Sequence, residues 1–141
     1  MDHSKLAIGG MAAIILGSLA TAAFTAPAAT AQAQIDQGKK LYTDKCATCH
    51  GAGGEGTKDG PPVVGKDAFP LDPRPKAKRD VKFHTAADVF AWASKHMPKD
   101  HPGTLTTDDY LAVFAFDLTA NGITLDKPLD GAAAAKIVLH P

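Results

Sequence analysis

Two cysteines and a histidine stand together at Cys46, Cys49 and His50, and these are the only cysteines in the chain. Three kinds of site use the Cys-x-x-Cys spacing: a zinc site, a redox dithiol and a covalently attached c-type haem. A zinc site needs two further ligands, and only His96 with His101 offers a formally suitable pair. A redox dithiol belongs at a helix start in a βαβ unit, and the sequence shows no such pattern.

The haem interpretation uses all three side chains. The thiols of Cys46 and Cys49 can add to the two vinyl groups of haem as thioethers, which places His50 under the iron as proximal ligand. The spacing matters because the vinyl groups and the iron are held rigidly on one macrocycle. A glycine-rich loop follows directly at residues 51–56. We therefore predict one covalently bound haem c, with the zinc and dithiol sites as alternatives.

The sixth ligand of the iron is predicted to be Met97. It is the only methionine beyond the N-terminal segment, and Pro98 follows it, so it ends a helix and lies on a loop that can turn towards the iron. A thioether ligand would give an electron-transfer site, whereas an open position would give a ligand-binding or catalytic one. His96 and His101 are the alternative ligands, and core packing is the alternative role of a methionine.

The N-terminal residues 1–31 are typical of a secretory signal peptide. Lys5 precedes an uncharged apolar run at residues 6–24, and small-residue cleavage patterns follow at residues 29–31 and 31–33. An uncleaved membrane anchor is the alternative, since the run is close to the shortest length that spans a bilayer. Either segment would export the rest of the chain, so we predict a periplasmic location.

Length and charge restrict the remaining choices. The chain has 141 residues, which is about one domain, and its 15 basic and 15 acidic side chains cancel. It therefore lacks the basic surplus that a nucleic-acid-binding protein needs. We predict one domain over residues 32–122 and a C-terminal tail, residues 123–141, that packs on it.

Three main helices are predicted, from Gln34 to about Cys46, from Thr85 to Met97 and from Thr106 to Asn121. The last two begin with a capping-box pattern, in which an aspartate follows the threonine by three residues. The third helix repeats apolar residues at helical spacing, and no stretch alternates as a strand would. The fold class is therefore all-α. The repeating apolar positions are Leu111, Phe114, Ala115 and Leu118.

The sequence resembles the class I cytochromes c over residues 35–122, in several features that follow the family's order and spacing. Besides the Cys-x-x-Cys-His motif, these are Gly38 with Tyr42, Gly60-Pro61-Pro62-Val63, Met97-Pro98, and Leu111 with Phe114. The segment at residues 96–123 is also similar to cytochromes that serve bacterial periplasmic dehydrogenases.

The resemblance implies a fold of three main helices plus short ones around one covalently bound haem. It implies that the Pro61 carbonyl accepts a hydrogen bond from Nδ1 of the proximal histidine. It also implies that Leu111 and Phe114 cross the first helix at Gly38. Trp92 is expected to contact a haem propionate through its indole N–H, with plain core packing as the alternative.

The predicted function is electron transfer rather than catalysis. A haem with histidine and methionine ligands would shuttle single electrons between a redox protein donor and acceptor, such as a dehydrogenase, an oxidase or another respiratory complex. The first alternative is a membrane-tethered or complex-bound cytochrome subunit, with membrane contact only if the N-terminal segment is retained. The second is a haem enzyme or gas sensor, which requires an open sixth position. The basic residues at 74–82 could guide an acidic partner or form a merely solvated loop.

Overall fold

The computed structural model describes residues 29–75 and 77–141 and contains five helices and no strand within those ranges. A single isolated bridge joins Thr85 to Val138 there. This confirms the all-α class. Except for residues 29–31, the predicted signal peptide lies outside the described residues, and each described helix is too short or too polar to span a bilayer. The helices are α1 (Ala31–Lys45), α2 (Ala47–His50), α3 (Ala86–His96), α4 (Thr107–Ala120) and α5 (Gly131–Lys136).

Helix α1 begins at Ala31, so the prediction of a start at Gln34 was wrong. The side chain of Thr30 accepts a hydrogen bond from the backbone N–H of Ala33 and caps the helix. The first residues of α1 are small or polar and give no apolar periodicity. The start is therefore fixed by the cap rather than by the apolar face.

Helices α3 and α4 begin and end where they were predicted. Thr85 and Thr106 are their N-caps, and each forms a reciprocal capping box with the aspartate three residues later. Helix α3 ends at Met97, because a residue before proline is disfavoured in helical geometry. Helix α4 ends at Asn121, and Gly122 follows with a φ of 84° that suits glycine.

Helices α1 and α4 cross at Gly38 with their backbones in contact. A Cβ atom at this position would lie 1.8 Å from the carbonyl oxygen of Ala112, so only glycine allows the crossing. One turn later the ring of Tyr42, which is 1% exposed, packs on Phe116 with centroids 5.3 Å apart. The close approach at Gly38 was predicted from the sequence.

Leu111 and Phe114 were predicted to lie at that crossing, and the atoms of α4 nearest to Gly38 belong to Ala112 and Val113, directly between them. Leu111 and Phe114 themselves belong to the main core, with Phe69, Leu118 and Leu129. Helix α4 is buried on almost every side, so apolar spacing alone does not identify the residue that lies nearest to Gly38.

The C-terminal residues 123–141 contribute to the same core. Leu129 is 2% exposed and Ala134 is fully buried, and α5 packs against α3. Backbone hydrogen bonds from Ala86 N to Ile137 O (2.9 Å) and from Leu139 N to His84 O (2.8 Å) fasten this segment beside the start of α3.

Candidate haem site

The two cysteines and the histidine lie on one helical turn. The backbone N–H of Cys46 ends α1 by donating to Tyr42 O (2.8 Å), and α2 follows at once. Cys49 N and His50 N then both donate to Cys46 O, at 3.1 and 2.9 Å. Residues three and four apart share one face of such a turn, so both thiols and the imidazole border one cavity. No disulfide joins the two cysteines.

This cavity has a volume of about 1170 Å³, which exceeds the usual range of about 300–1000 Å³ for small-molecule pockets. Helices α1, α2, α3 and α4 and the loops between them enclose it. The structure brings all six predicted site residues to its wall: Cys46, Cys49, His50, Pro61, Trp92 and Met97. The rest of the wall is largely aromatic and aliphatic, including Val63, Phe69, Phe90, Val113 and Phe114.

On one side of the cavity, the proximal wall, the imidazole of His50 is fixed by a loop. Its Nδ1 lies 2.7 Å from Pro61 O, so the ring can donate there and keep Nε2 for a metal. Gly60 lies against the turn, since a Cβ atom there would be 2.7 Å from the carbonyl oxygen of Cys49. The Thr57 hydroxyl donates to the same oxygen (2.6 Å), so the loop and the turn are joined at several points.

A second part of the cavity lining, here called the distal wall, is formed by the end of α3, where Met97 caps the helix. Its backbone N–H donates to Ala93 O (2.8 Å), and its carbonyl accepts from the Tyr110 hydroxyl. The neighbouring His96 is engaged differently. Its ring stacks on Trp92 with centroids 4.5 Å apart, and its Nδ1 lies 2.6 Å from Trp92 O.

Trp92 is half-buried between the cavity and the core. One edge of its ring meets Phe83 at a centroid distance of 6.3 Å and an angle of 67°. The indole therefore has both a packing role and access to the cavity, and its contact with a propionate stays a prediction.

The cavity lining includes two charged residues whose burial was not predicted from the sequence. Arg79 was grouped with an exposed basic loop, yet it is 7% exposed. It donates to the carbonyls of Pro70 (2.8 Å), Leu71 (3.1 Å) and Val81 (2.7 Å), and it lies 3.7 Å above the ring of Phe83. Arginine in a proline-rich loop gives no sequence signal of burial.

The other is Asp117, which is 5% exposed and borders the cavity from α4. Its Oδ1 has no hydrogen-bond partner among the described residues. Burial raises the pKa of this carboxyl well above its ordinary value. A sequence signal did exist, since Asp117 interrupts the apolar run of α4 between Phe116 and Leu118.

Burial also affects the groups beside Asp117. It raises the pKa of the Cys46 thiol to about 12, with smaller contributions from the charges of Asp117 and Cys49. It raises the pKa of the Tyr42 hydroxyl, which donates to Gly51 O (2.8 Å), and Asp117 adds to that shift. Without attached haem, Cys46 is therefore a neutral thiol at neutral pH.

These residues fit a covalently attached haem. The two sulfurs and the imidazole border a single large, mostly apolar cavity, and the hydrogen bond from Nδ1 to Pro61 leaves Nε2 of His50 available to bind a metal. Helices that cross at a glycine and enclose such a cavity above a Cys-x-x-Cys-His turn define a cytochrome c fold. The family described as cytochrome c oxidase, cbb3-type, subunit III matches residues 33–116, and the chain belongs to this family.

Similar proteins agree with that assignment. The thiosulfate dehydrogenase of Stutzerimonas stutzeri is 32% identical over 87 residues, which cover 58% of this chain and 26% of the relative. Cytochrome c-555 of Methylococcus capsulatus is 44% identical over 64 residues, which cover 40% of this chain and 46% of the relative. The crystal structure of the sulfane dehydrogenase SoxCD from Paracoccus pantotrophus has a TM-score of 0.57 and 30% identity, over 78% of this chain and 58% of that chain.

In each case the chain spans less than two thirds of the length of the protein it matches. The comparisons confirm the resemblance to class I cytochromes c and the covalent haem c. They identify an electron-transport protein, and the zinc and dithiol alternatives are thereby excluded.

Proposed function

We propose that the protein is a periplasmic electron carrier in which His50 and Met97 bind the haem iron and Cys46 and Cys49 hold the haem. The observation that carries this proposal is the 2.7 Å contact between His50 Nδ1 and Pro61 O, with Met97 lining the same cavity. Bound haem supplies a one-electron couple. Methionine ligation favours the ferrous form.

The chain's own residues keep the site nearly rigid. Pro61 orients the His50 ring and increases its basicity through the hydrogen bond at Nδ1. Tyr110 holds the backbone of Met97, so the thioether needs little movement when an electron arrives or leaves. Aromatic and aliphatic side chains in the lining would keep water away from much of a haem bound in the cavity. These features suit electron transfer, which requires small structural change, better than catalysis.

Among the distal candidates, Met97 is favoured over the two histidines. The ring of His96 is stacked on Trp92 and hydrogen-bonded to its backbone, so binding iron would cost these contacts. His101 is an exposed loop residue. Trp92 is proposed to donate to a haem propionate.

The donor is proposed to be a dehydrogenase, because two of the similar proteins are named as dehydrogenases. An oxidase or another respiratory complex would then accept the electron. The second candidate is a complex-bound or membrane-tethered subunit, which is favoured by the larger size of those relatives. Export by residues 1–31 is proposed as well, and retention of residues 6–24 in the purified protein would indicate a membrane tether.

The optical spectrum of the reduced protein, before and after addition of carbon monoxide, tests the ligand assignment. We expect no change in the wild type or in His96→Ala, and a carbon monoxide complex in Met97→Ala. A carbon monoxide complex of the folded wild type would mean an open sixth position and would favour a sensor or enzyme. Carbon monoxide binding by His96→Ala alone would assign the distal ligand to His96.

A further inference from the structure

The described part of the chain buries two charged side chains, and they differ in how they are satisfied. Arg79 is surrounded by three carbonyl acceptors and an aromatic ring. Asp117 is buried to a similar degree, but its Oδ1 has no donor among the described residues. An unpaired buried carboxylate is costly, so this position needs an explanation beyond packing.

The position of Asp117 suggests one. The residue borders the cavity from α4, Tyr42 borders it from α1 and Cys46 from the position directly after α1, and the charge of Asp117 adds to the raised pKa of both the Tyr42 hydroxyl and the Cys46 thiol. Cys46 is one of the proposed attachment points, so a haem held there would occupy the cavity that the Asp117 carboxyl borders. Neither Tyr42 nor a thioether at Cys46 would titrate near neutral pH, because the hydroxyl is held neutral and a thioether has no proton.

Other charged groups border the same cavity from the remaining elements. Burial is the cause of the raised pKa of Asp117. The histidines there are His50 on α2, His96 on α3 and His101 on the loop after it, and the other carboxylates, at positions 44, 59 and 100, are exposed. The cationic residues are Lys45, Arg74, Lys78, Arg79, Lys95 and Lys99.

We propose that Asp117 is a redox-linked proton site, which binds a proton when the attached haem is reduced and releases it when the haem is oxidised. The proposal rests on the electron-carrier function above. As one electron arrives from the donor protein, the carboxylate takes one proton from solvent and becomes a neutral acid. As the electron leaves for the acceptor, the acid returns the proton, so charge and atoms balance in both directions.

The physical basis is the charge of the site. The oxidised haem centre carries one more positive charge than the reduced centre and therefore stabilises an ionised carboxylate next to it. In a buried, weakly screened environment this interaction is much larger than in water. Electron affinity and proton affinity must then be coupled reciprocally, because each binding event changes the free energy of the other.

The midpoint potential of the purified haem-containing protein, measured from about pH 5 to pH 10, tests the coupling. We expect the potential to fall as pH rises through the range in which Asp117 ionises and to be flat on either side. If oxidation weakens proton binding about tenfold, the total fall is about 59 mV. Asp117→Asn and Asp117→Leu should both remove this fall and hold the higher, acid-side potential throughout.

Asp108→Asn is the matched control, because Asp108 is an exposed carboxylate on the same helix, and it should keep the wild-type curve. A wild-type potential independent of pH would overturn the proposal. So would an unchanged pH dependence in both Asp117 variants, which would assign the titration to another group, such as a haem propionate.

A second measurement uses only the wild-type protein, so it does not depend on whether a variant folds. The infrared difference spectrum of reduced minus oxidised wild type should gain the C=O band of a protonated carboxyl, shifted in D₂O, and its absence would contradict proton uptake at Asp117. These outcomes are separable from the proposed function. A reversible one-electron titration without pH dependence would leave the carrier intact, whereas carbon monoxide binding by the wild type would refute the carrier.

Discussion

The two walls of the haem cavity are built differently. On the proximal wall, His50 lies on a turn that is fixed by the loop at Gly60 and Pro61 and by the contact of α1 with α4 at Gly38. On the distal wall, Met97 is held through its backbone, by Ala93 within α3 and by the Tyr110 hydroxyl. His50 is thus fixed by many packed contacts and Met97 by a few hydrogen bonds.

This difference indicates where the site can change. Close packing between backbones leaves no room for adjustment, so a change on the proximal side affects the whole fold. A residue at a helix end, followed by a loop, can move at lower cost because fewer contacts must break. We therefore expect stability to depend mainly on the proximal wall and exchange of iron ligands mainly on the distal wall.

The largest effect is expected from Gly38→Val. Its Cβ would meet the carbonyl oxygen of Ala112 at 1.8 Å, which neither helix can relieve without separating, so we expect a loss of at least about 3 kcal/mol in unfolding free energy. Denaturant titration of the haem-containing protein measures this loss. Gly131→Ala is the control, since nothing lies near its Cβ position. Similar stability of the two variants would contradict the crossing.

The next largest effect is expected at Arg79, whose loop shows that irregular backbone can also be tightly held. Arg79→Met removes three hydrogen bonds to carbonyls and the contact with Phe83, and we expect a loss of roughly 3 kcal/mol. Denaturant titration of this variant beside Lys78→Met, at the exposed neighbouring position, measures it. Equal losses in both variants would mean that Arg79 acts only as a surface charge.

The features that were predicted correctly from the sequence are those that depend on local chemistry. The attachment motif, the two capping boxes and the glycine at the helix crossing each depend on a few neighbouring residues, and each lies where it was predicted. Their physical causes, hydrogen bonding at helix ends and steric exclusion at Gly38, are visible in the residue types themselves.

The sequence did not predict what depends on tertiary burial. The residue of α4 that lies nearest to Gly38, Ala112, was not predicted, because this helix is apolar on nearly all sides. Arg79 was taken as an exposed charge, since its three acceptors are backbone carbonyls that no residue type reveals. Asp117 was passed over for a related reason, since one acidic residue in a helix is ordinarily solvated.

A smaller effect should separate the two walls directly. Tyr110→Phe removes a hydrogen bond to Met97 and Tyr42→Phe removes one to Gly51, so each costs about 1 kcal/mol of stability. Only the Tyr110 change loosens the proposed distal ligand, and it should raise the affinity of the ferric protein for imidazole by up to about fivefold. Spectroscopic imidazole titration of both variants measures this. An equal increase in both variants would mean that the walls do not act separately.

The smallest effect concerns the start of α3, the helix that ends at Met97. The backbone N–H of Thr85 donates to the Asp88 carboxylate (2.8 Å), and this bond, with further ones from the Thr85 hydroxyl and His84 N, lowers the pKa of Asp88. The resulting stabilisation is complete above the unfolded-state pKa of about 3.9 and is lost as pH falls through the lower folded-state value.

Asp88→Asn should therefore cost roughly 0.5 kcal/mol of unfolding free energy at neutral pH, and the difference from wild type should shrink in acid. Unfolding free energies from pH 7 to pH 3 measure it, with Asp80→Asn, at an exposed loop position, as the control. A constant difference across this range would mean that Asp88 acts through its shape rather than its charge.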